Sequence, residues 1–386
     1  MMKTTLENNV LTIYLGGEVN SYNADNIEKE IKETIAQYSF EKLVLDFAAV
    51  SYISSAGLRI ILKLKQQYNN LSIVETSLEV YDIFSMTGFT NIVDINKGLK
   101  RVYLSGAEVV GDGFYSTVYR VDKDTIIKVF NRVSDTDQID RELKLAKEAF
   151  ILGIPTAISF DIVRVDDNKL GVRFEMLDCQ SLKTMLVNYP NRLGEFLDKY
   201  AALLKKMNTT ECMSETIPHM KDIYLRKIEE SKVGISLEMY EKLRKMFTAI
   251  PERNTFIHGD CHFKNIMVQN DELLLIDMDT LSVGYPIFEL AALYVAYVAY
   301  NEYTPGNAES FFGIKDEEAH KLYYALIARY FGKDDEEIKD KIKIVGYVHM
   351  IRWNCVHDKE NIQKLEELKK ELAKLLEKYD DLDIGL

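Results

Sequence analysis

Two fold classes in series are predicted for this 386-residue chain: an α/β domain with a mixed sheet and helices, then an α+β part built as two lobes. Three observations predict them. Strand and helix signals alternate over residues 1–98. Consecutive strand signals separated by turn residues run from Val102 to Phe130. From Ser181 onward helical periodicity dominates, interrupted only between Phe256 and Thr280.

In the first segment Val10–Leu15 reads as a strand, and Tyr22–Tyr38 has helical periodicity with Ser21 as N-cap. Leu43–Phe47 is a short apolar strand, Gly57–Tyr68 an amphipathic helix and Leu71–Val74 a third strand. Leu78–Met86 is helical and stops at Gly88, a C-cap signal, and Ile92–Ile95 closes the pattern. Strands separated by helices imply parallel pairs with right-handed crossovers. The pattern changes at about 97–101. From Val102 to Phe130 the chain reads as an antiparallel meander, followed by a helix (138–152) and strands at Ile158–Val165 and Lys169–Leu177. The expected domains are therefore 1–98, a small β-rich lobe over 99–177 and a larger helical lobe over 178–386.

With 47% apolar and 28% charged residues the chain is globular rather than disordered. A net charge of −13 argues against nucleic-acid binding; it fits a soluble protein and leans, if anywhere, toward a cationic substrate. Cys179, Cys212, Cys261 and Cys355 form no CxxC pair and read as reduced thiols of a cytoplasmic protein. The N-terminus lacks a signal-peptide core. The longest apolar run, Leu290 to Tyr300, is too short to span a bilayer and suits a buried helix, so no membrane partner is expected. Tyr294, Tyr297 and Tyr300 read as core.

The most informative stretch lies between Phe256 and Thr280. It carries His258-Gly259-Asp260, then Asn265, then Ile276-Asp277-Met278-Asp279. Two acidic residues and an amide at this spacing on a strand–loop–strand suit one chemistry: holding Mg²⁺ on a nucleotide and steering a hydroxyl at its terminal phosphate. Asp260 would accept the hydroxyl's hydrogen bond and take its proton late. Asn265 offers the metal a neutral oxygen and Asp277 a hard anionic one. Asp279 is a further ligand or a second-layer anchor, and His258 braces the loop.

These residues resemble the aminoglycoside phosphotransferase and choline-kinase-like branch of the protein-kinase fold, over about 100–386. That branch has HGD and IDxD motifs, as here. The resemblance implies ATP (or GTP) and Mg²⁺ as cofactors and an alcohol as acceptor. Upstream, Gly111, Gly113 and Val118 match a GxGxxGxV phosphate loop in which Ser116 replaces the third glycine. Lys128, in an otherwise apolar strand, is by resemblance the lysine that bridges the α- and β-phosphates, with Glu142 or Glu148 as its partner. Glu175 to Leu177 fall where this fold has its hinge. Val283–Ala291 resembles the family's GDPxxDLA segment, with Tyr285 and Glu289 in place of Asp, and reads as a structural helix start. His349, Arg352, Trp353, Asn354 and His357 share helical spacing; they form a packed helix with one polar face or line the acceptor pocket.

Residues 1–98 resemble the STAS domain of anti-sigma-factor antagonists. The resemblance rests on Leu45 to Arg59, a strand, a short loop and a helix start, and places Ser55 on that family's phosphoacceptor serine, with Ser54 where an Asp is usual. The competing reading makes Ser55 a plain N-cap. Three functions are thus in view: a small-molecule kinase with a regulatory or protein-docking module, a serine kinase acting on Ser55 or on another STAS protein, and a non-catalytic nucleotide-binding scaffold.

Overall fold

The computed structural model describes residues 2–113, 116–131, 136–166, 169–212, 214 and 217–386. By Cα packing the chain divides into two compact units, 1–105 with 162–169, and 106–161 with 170–386.

The first unit holds β1 (Thr4–Glu7), β2 (Val10–Val19), α1 (Ala24–Ile35), β3 (Lys42–Ile53), α2 (Ser55–Gln67), β4 (Leu71–Thr76), α3 (Leu78–Met86) and β5 (Asp94–Lys97). The sheet order is β1-β2-β3-β4-β5, with β1 antiparallel to β2 and the other pairs parallel. β1 escaped the sequence reading, although Asn8 and Asn9 carry its hairpin with φ of 48° and 63°. Leu11, Ile13, Leu43, Leu45 and Ile73 put one face of the sheet on the core, where Ile61, Leu64 and Phe84 of the helices meet it.

α1 begins later than predicted, and Ser21 does not cap it. The Asn20 amide donates to Asn23 Oδ1 at 2.9 Å and Asn23 Nδ2 to the Glu18 carbonyl at 2.7 Å. These side-chain bonds tie off the preceding turn and leave Tyr22 outside the helix, 96% exposed. α2 starts at Ser55 rather than Gly57, because Ser54 caps it by accepting from the Ala56 amide at 3.2 Å. Ser55 is exposed in the first turn. Gly57 is required by contact: a Cβ there would sit 2.7 Å from Ile53 and 2.8 Å from Val19.

The predicted antiparallel meander begins at Glu108 rather than at Val102. β6 (Lys100–Val102) pairs in parallel with Val163–Val165 of β10 (Ser159–Val165), while β7 (Glu108–Asp112), β8 (Ser116–Arg120), β9 (Thr125–Phe130) and β11 (Lys169–Glu175) form the antiparallel sheet of the second unit, in the order β7-β8-β9-β11. α4 (Thr136–Ile151) supplies Glu142 beside this sheet. Beyond Gln180 the second unit is helical apart from short strands, including the hairpin Ile266–Gln269 with Glu272–Leu275. The apolar run predicted as a buried helix is one: Ile287–Tyr294 continues into a π-helical turn at Val295–Ala299. Tyr294 and Tyr297 are core, but Tyr300 faces a cavity. All four cysteines are free thiols. Among the described residues no helix is long and apolar enough to cross a membrane.

Candidate functional site

The loop that opens with His258 is held by buried and part-buried hydrogen bonds. Gly259 adopts φ 81°, and a Cβ there would meet Thr280 O at 3.2 Å, so the position takes only glycine comfortably. The His258 ring sits between two backbone groups: Nδ1 accepts from the Asp260 amide at 3.3 Å, which leaves the proton on Nε2 to donate to the Ile276 carbonyl at 3.1 Å. Burial pushes its pKa below the ordinary histidine value, so the ring stays neutral. It therefore ties the Asp260 loop to the Asp277 strand end without carrying charge.

Glu289 is the brace that the sequence reading missed. Read there as part of a structural helix start, its fully buried carboxylate accepts from the His258 amide at 2.6 Å and the Gly259 amide at 3.3 Å. Its other oxygen has no partner among the described residues. Burial pushes this carboxyl up to about 7. The signal was present as an acidic residue in an otherwise apolar helix.

Asp260 and Asn265 face each other across the loop. Asn265 Nδ2 donates to both the Asp260 carbonyl and Asp260 Oδ2, each at 3.0 Å. That commits the amide nitrogen and turns the side-chain oxygen away from Asp260. His262, which the sequence reading left without a role, lies with Nε2 3.5 Å from Asp260 Oδ1 and packs edge-on against Phe311 and Phe312. Burial drops its pKa to about 4. The Asp260 carboxyl is pushed up to about 6, first by burial and with Asp277 adding repulsion.

Lys128 of β9 reaches both Glu142 Oε1 and Asp277 Oδ1 at 2.7 Å. Glu142, not Glu148, is thus its helix partner; Glu148 lies beside the Cys212 thiol. Burial works against the lysine's charge, but the two carboxylates outweigh it and its pKa is raised. Asp277 holds φ 66°, a left-handed conformation rare outside glycine and typical of a residue constrained by its site. Two residues on, Asp279 is pushed up to about 7, by burial first and by Asp277 second.

Two cavities adjoin this constellation. One, of about 380 Å³, is lined by Val110, Gly111, Ser116, Val118, Lys128, Glu142, Phe174 to Leu177, Ile276, Asp277 and Met278. At its edge the Glu175 side chain accepts from the Ile158 amide at 2.7 Å through Oε1 and its own amide donates to Ile158 O, so Glu175 keeps only acceptors, its carbonyl and Oε2. The Leu177 amide is unspent among the described residues. Gly113 donates to the Ser116 carbonyl at 2.9 Å, closing the glycine turn; Phe114 and Tyr115 between them lie outside the described residues. The second cavity, about 620 Å³, receives Asp260, His262 and Asp279 from the 258–279 segment and His349, Arg352 and Trp353 from a late helix. Of the late-helix group predicted from spacing, these three line it, whereas Asn354 is buried in bonds to Tyr303 and nearby carbonyls, and His357 turns to Arg352.

Hard oxygen donors suit Mg²⁺. Among the described residues no three carboxylate, imidazole or thiolate groups converge as a ready-made cage. What exists is an acidic pair, Asp277 and Asp279, only partly offset by the Lys128 ammonium on Asp277 Oδ1, with the Asn265 amide oxygen. The raised Asp279 carboxyl marks negative charge that a divalent cation would neutralise, so the donor set fits such an ion completed by phosphate oxygens and water.

Fold and site define a phosphotransferase of the kinase-like kind. Residues 106–319 match the family model described as the phosphotransferase enzyme family, and the chain belongs to that family. Residues 1–105 match the STAS domain model. Over 100 residues, 24% of this chain and 85% of the relative, the N-terminal part is 34% identical to BtrV, the inferred anti-sigma factor antagonist of Bordetella bronchiseptica. Solved structures with similarity include the amicoumacin kinase hAmiN in complex with AMP-PNP, Ca²⁺ and Ami, at 12% identity with 83% of this chain and 96% of that one covered and a TM-score of 0.48. A choline/ethanolamine kinase family protein from Mesorhizobium loti is 15% identical, with 70% and 88% covered and a TM-score of 0.43.

Proposed function

We propose that this chain transfers the terminal phosphoryl group of ATP or GTP, with Mg²⁺, to a hydroxyl of a small molecule, and that its STAS domain is a docking or regulatory module for a protein partner. One observation carries the reading. A single segment, 258–279, contributes Asp277 to the first cavity and Asp260 and Asp279 to the second. The first has the apolar walls and free edge groups that suit a nucleobase, with Lys128 at its polar end. The second is roomy enough for an acceptor.

In this reading Lys128, fixed by Glu142, neutralises the phosphates, and the unspent Leu177 amide with the Glu175 carbonyl reads the base edge. Gly111, Gly113 and Ser116 line the phosphate path. Asp277, Asn265 and, where its carboxylate is ionised, Asp279 hold the metal, whose part is to neutralise charge on the phosphates. Asp260 orients the acceptor hydroxyl. A bond forms from the acceptor oxygen to the terminal phosphorus, the bond from that phosphorus to the bridging oxygen breaks, and the hydroxyl proton passes to Asp260. His258 and Glu289 keep Asp260 in place.

ATP consumption by purified protein with Mg²⁺, across a panel of hydroxylated metabolites, tests this. Silence across the panel counts against it, nucleotide binding without turnover would leave only a nucleotide-binding scaffold, and turnover that survives Asp260→Asn would remove Asp260 from the role given to it here. Ser55, exposed in the first turn of α2, supports a second reading, serine phosphorylation within STAS domains. Labelled ATP and mass spectrometry decide it: no incorporation at Ser55, or equal incorporation in Asp260→Asn, removes the version in which the chain modifies itself.

A further inference from the structure

Phosphoryl transfer accounts for the acidic lining of the second cavity but not for the cationic part of it. There Lys227, on the helix Met220–Ser231, and His349 and Arg352, on the helix Glu336–His357, line the same space. Lys227 Nζ lies 3.1 Å from His349 Nδ1 and 4.2 Å from the Tyr224 ring centroid. No carboxylate stands within ion-pair distance of it among the described residues. Arg352 spends Nε on Glu230 at 2.6 Å and one terminal nitrogen on His357 at 3.2 Å; the other is unspent among the described residues. The result is an ammonium and a guanidinium lining one cavity, both part-buried, with Glu230 on Arg352 the one carboxylate in ion-pair contact with either among the described residues.

Such an arrangement is costly without a counter-charge. Burial and Arg352 push Lys227 down to about 8, and burial with the same two cations leaves His349 neutral, an acceptor that holds the ammonium in place. An acceptor bearing several ammonium groups would set like charges against this wall. The rings of Phe288 and Tyr300 line the same cavity, a surface suited to a carbon skeleton.

We propose that the acceptor carries an anionic group, a carboxylate or a phosphate, in addition to the hydroxyl offered to Asp260, and that Lys227 and Arg352 bind that group with His349 as a positioning residue. The term acceptor rests on the phosphotransferase reading; the anion site itself does not. It also reverses the leaning toward a cationic substrate drawn from the net charge of −13, because the local field in the cavity, not the whole-chain charge, meets the ligand.

Trp353 is the chain's single tryptophan and lines this cavity, so its emission reports binding without any turnover. The full chain is titrated with glycerol 3-phosphate and gluconate, and with glycerol, glucose and ethanolamine as neutral and cationic counterparts. The expected result is a saturable change with at least one anion and none with the counterparts. Lys227→Met should weaken anion binding by about tenfold to a hundredfold, the loss of a charge-assisted contact. Arg352→Gln should weaken it less. The preferred anion tells phosphate from carboxylate. No saturable change with either anion, saturation by ethanolamine or glycerol at equal concentrations, or unchanged affinity in a Lys227→Met protein with a native circular-dichroism spectrum would each overturn the proposal. Anion binding without ATP consumption by any alcohol would instead break the phosphotransferase reading, and ATP consumption driven best by neutral or cationic alcohols would break this one.

Discussion

The cavity behind Lys128 is walled by consecutive strands, β7 to β9, by the chain from Phe174 to Leu177 and by the short segment Ile276–Met278, whereas the cavity in front of Asp260 draws on helices spread from Met220 to Trp353. The first is apolar with one tight charge cluster at its end. The second mixes carboxylates, cations and aromatic rings from elements far apart in sequence. A flat base and a phosphate chain can be held by backbone groups and one lysine, so that wall follows from short local motifs. Discrimination among acceptors needs side chains whose positions depend on helix packing, and those can change without disturbing the 258–279 loop.

The largest expected effect isolates the second cavity from the first. Asp260→Asn keeps the side chain's size and its place beside Asn265 but removes the proton acceptor. Turnover should fall by about 10²–10⁴, while nucleotide affinity changes by less than about threefold. Steady-state kinetics and nucleotide titration check both; a parallel loss of nucleotide binding would break the division between the two cavities.

Lys128→Met tests the other side. It strands Glu142, whose side chain is only 9% exposed, next to the more open Asp277. Breaking a buried pair by removing one partner costs about 3–5 kcal/mol. Denaturant unfolding should show most of that loss, and the double substitution Lys128→Met with Glu142→Leu should recover part of it. Full stability in the single variant would mean that Lys128 is not holding α4.

Glu289 braces the loop at His258 and Gly259, and its effect appears as pH dependence. Its carboxyl is pushed to about 7 in the folded chain from an ordinary 4.5. The folded state therefore binds this proton more tightly than the unfolded state. Its contribution is full below 4.5 and is lost as pH rises through about 7. Across that window wild type should lose up to roughly 3 kcal/mol relative to Glu289→Gln, which cannot titrate. Parallel stability–pH curves for the two proteins would show that the carboxyl titrates normally.

The sequence made the first cavity and the 258–279 loop legible because motif spacing there reflects backbone geometry. Lys128 stood out as a lone cation in an apolar strand. Lys227 did not, because its meaning comes from His349, 122 residues away on another helix. Glu289 was visible only as an acid in an apolar run, and its partners are amides, which carry no sequence signature. In the first unit the α/β alternation followed from periodicity, but the start of α1 did not, since side-chain bonds from Asn20 and Asn23 override the periodic signal. The hairpin at Asn8-Asn9 was readable from its turn residues and went unread.

The smallest expected effect concerns Ser116, the residue in place of a third glycine. It is the first residue of β8, paired with Phe130, and its carbonyl already accepts from Gly113. The strand fixes its backbone, so the freedom that glycine would bring has no use there. Ser116→Gly should cost about 0.5–1 kcal/mol of stability. Nucleotide affinity then reports on the hydroxyl alone. A change below about threefold would mean that the amides and Lys128 suffice for the phosphates, whereas a loss of about tenfold would assign the hydroxyl a bond to a phosphate oxygen. In that case the wall that looks most like a backbone cradle would depend on a side chain after all, and the contrast between the two cavities would narrow to Lys128 and its carboxylates.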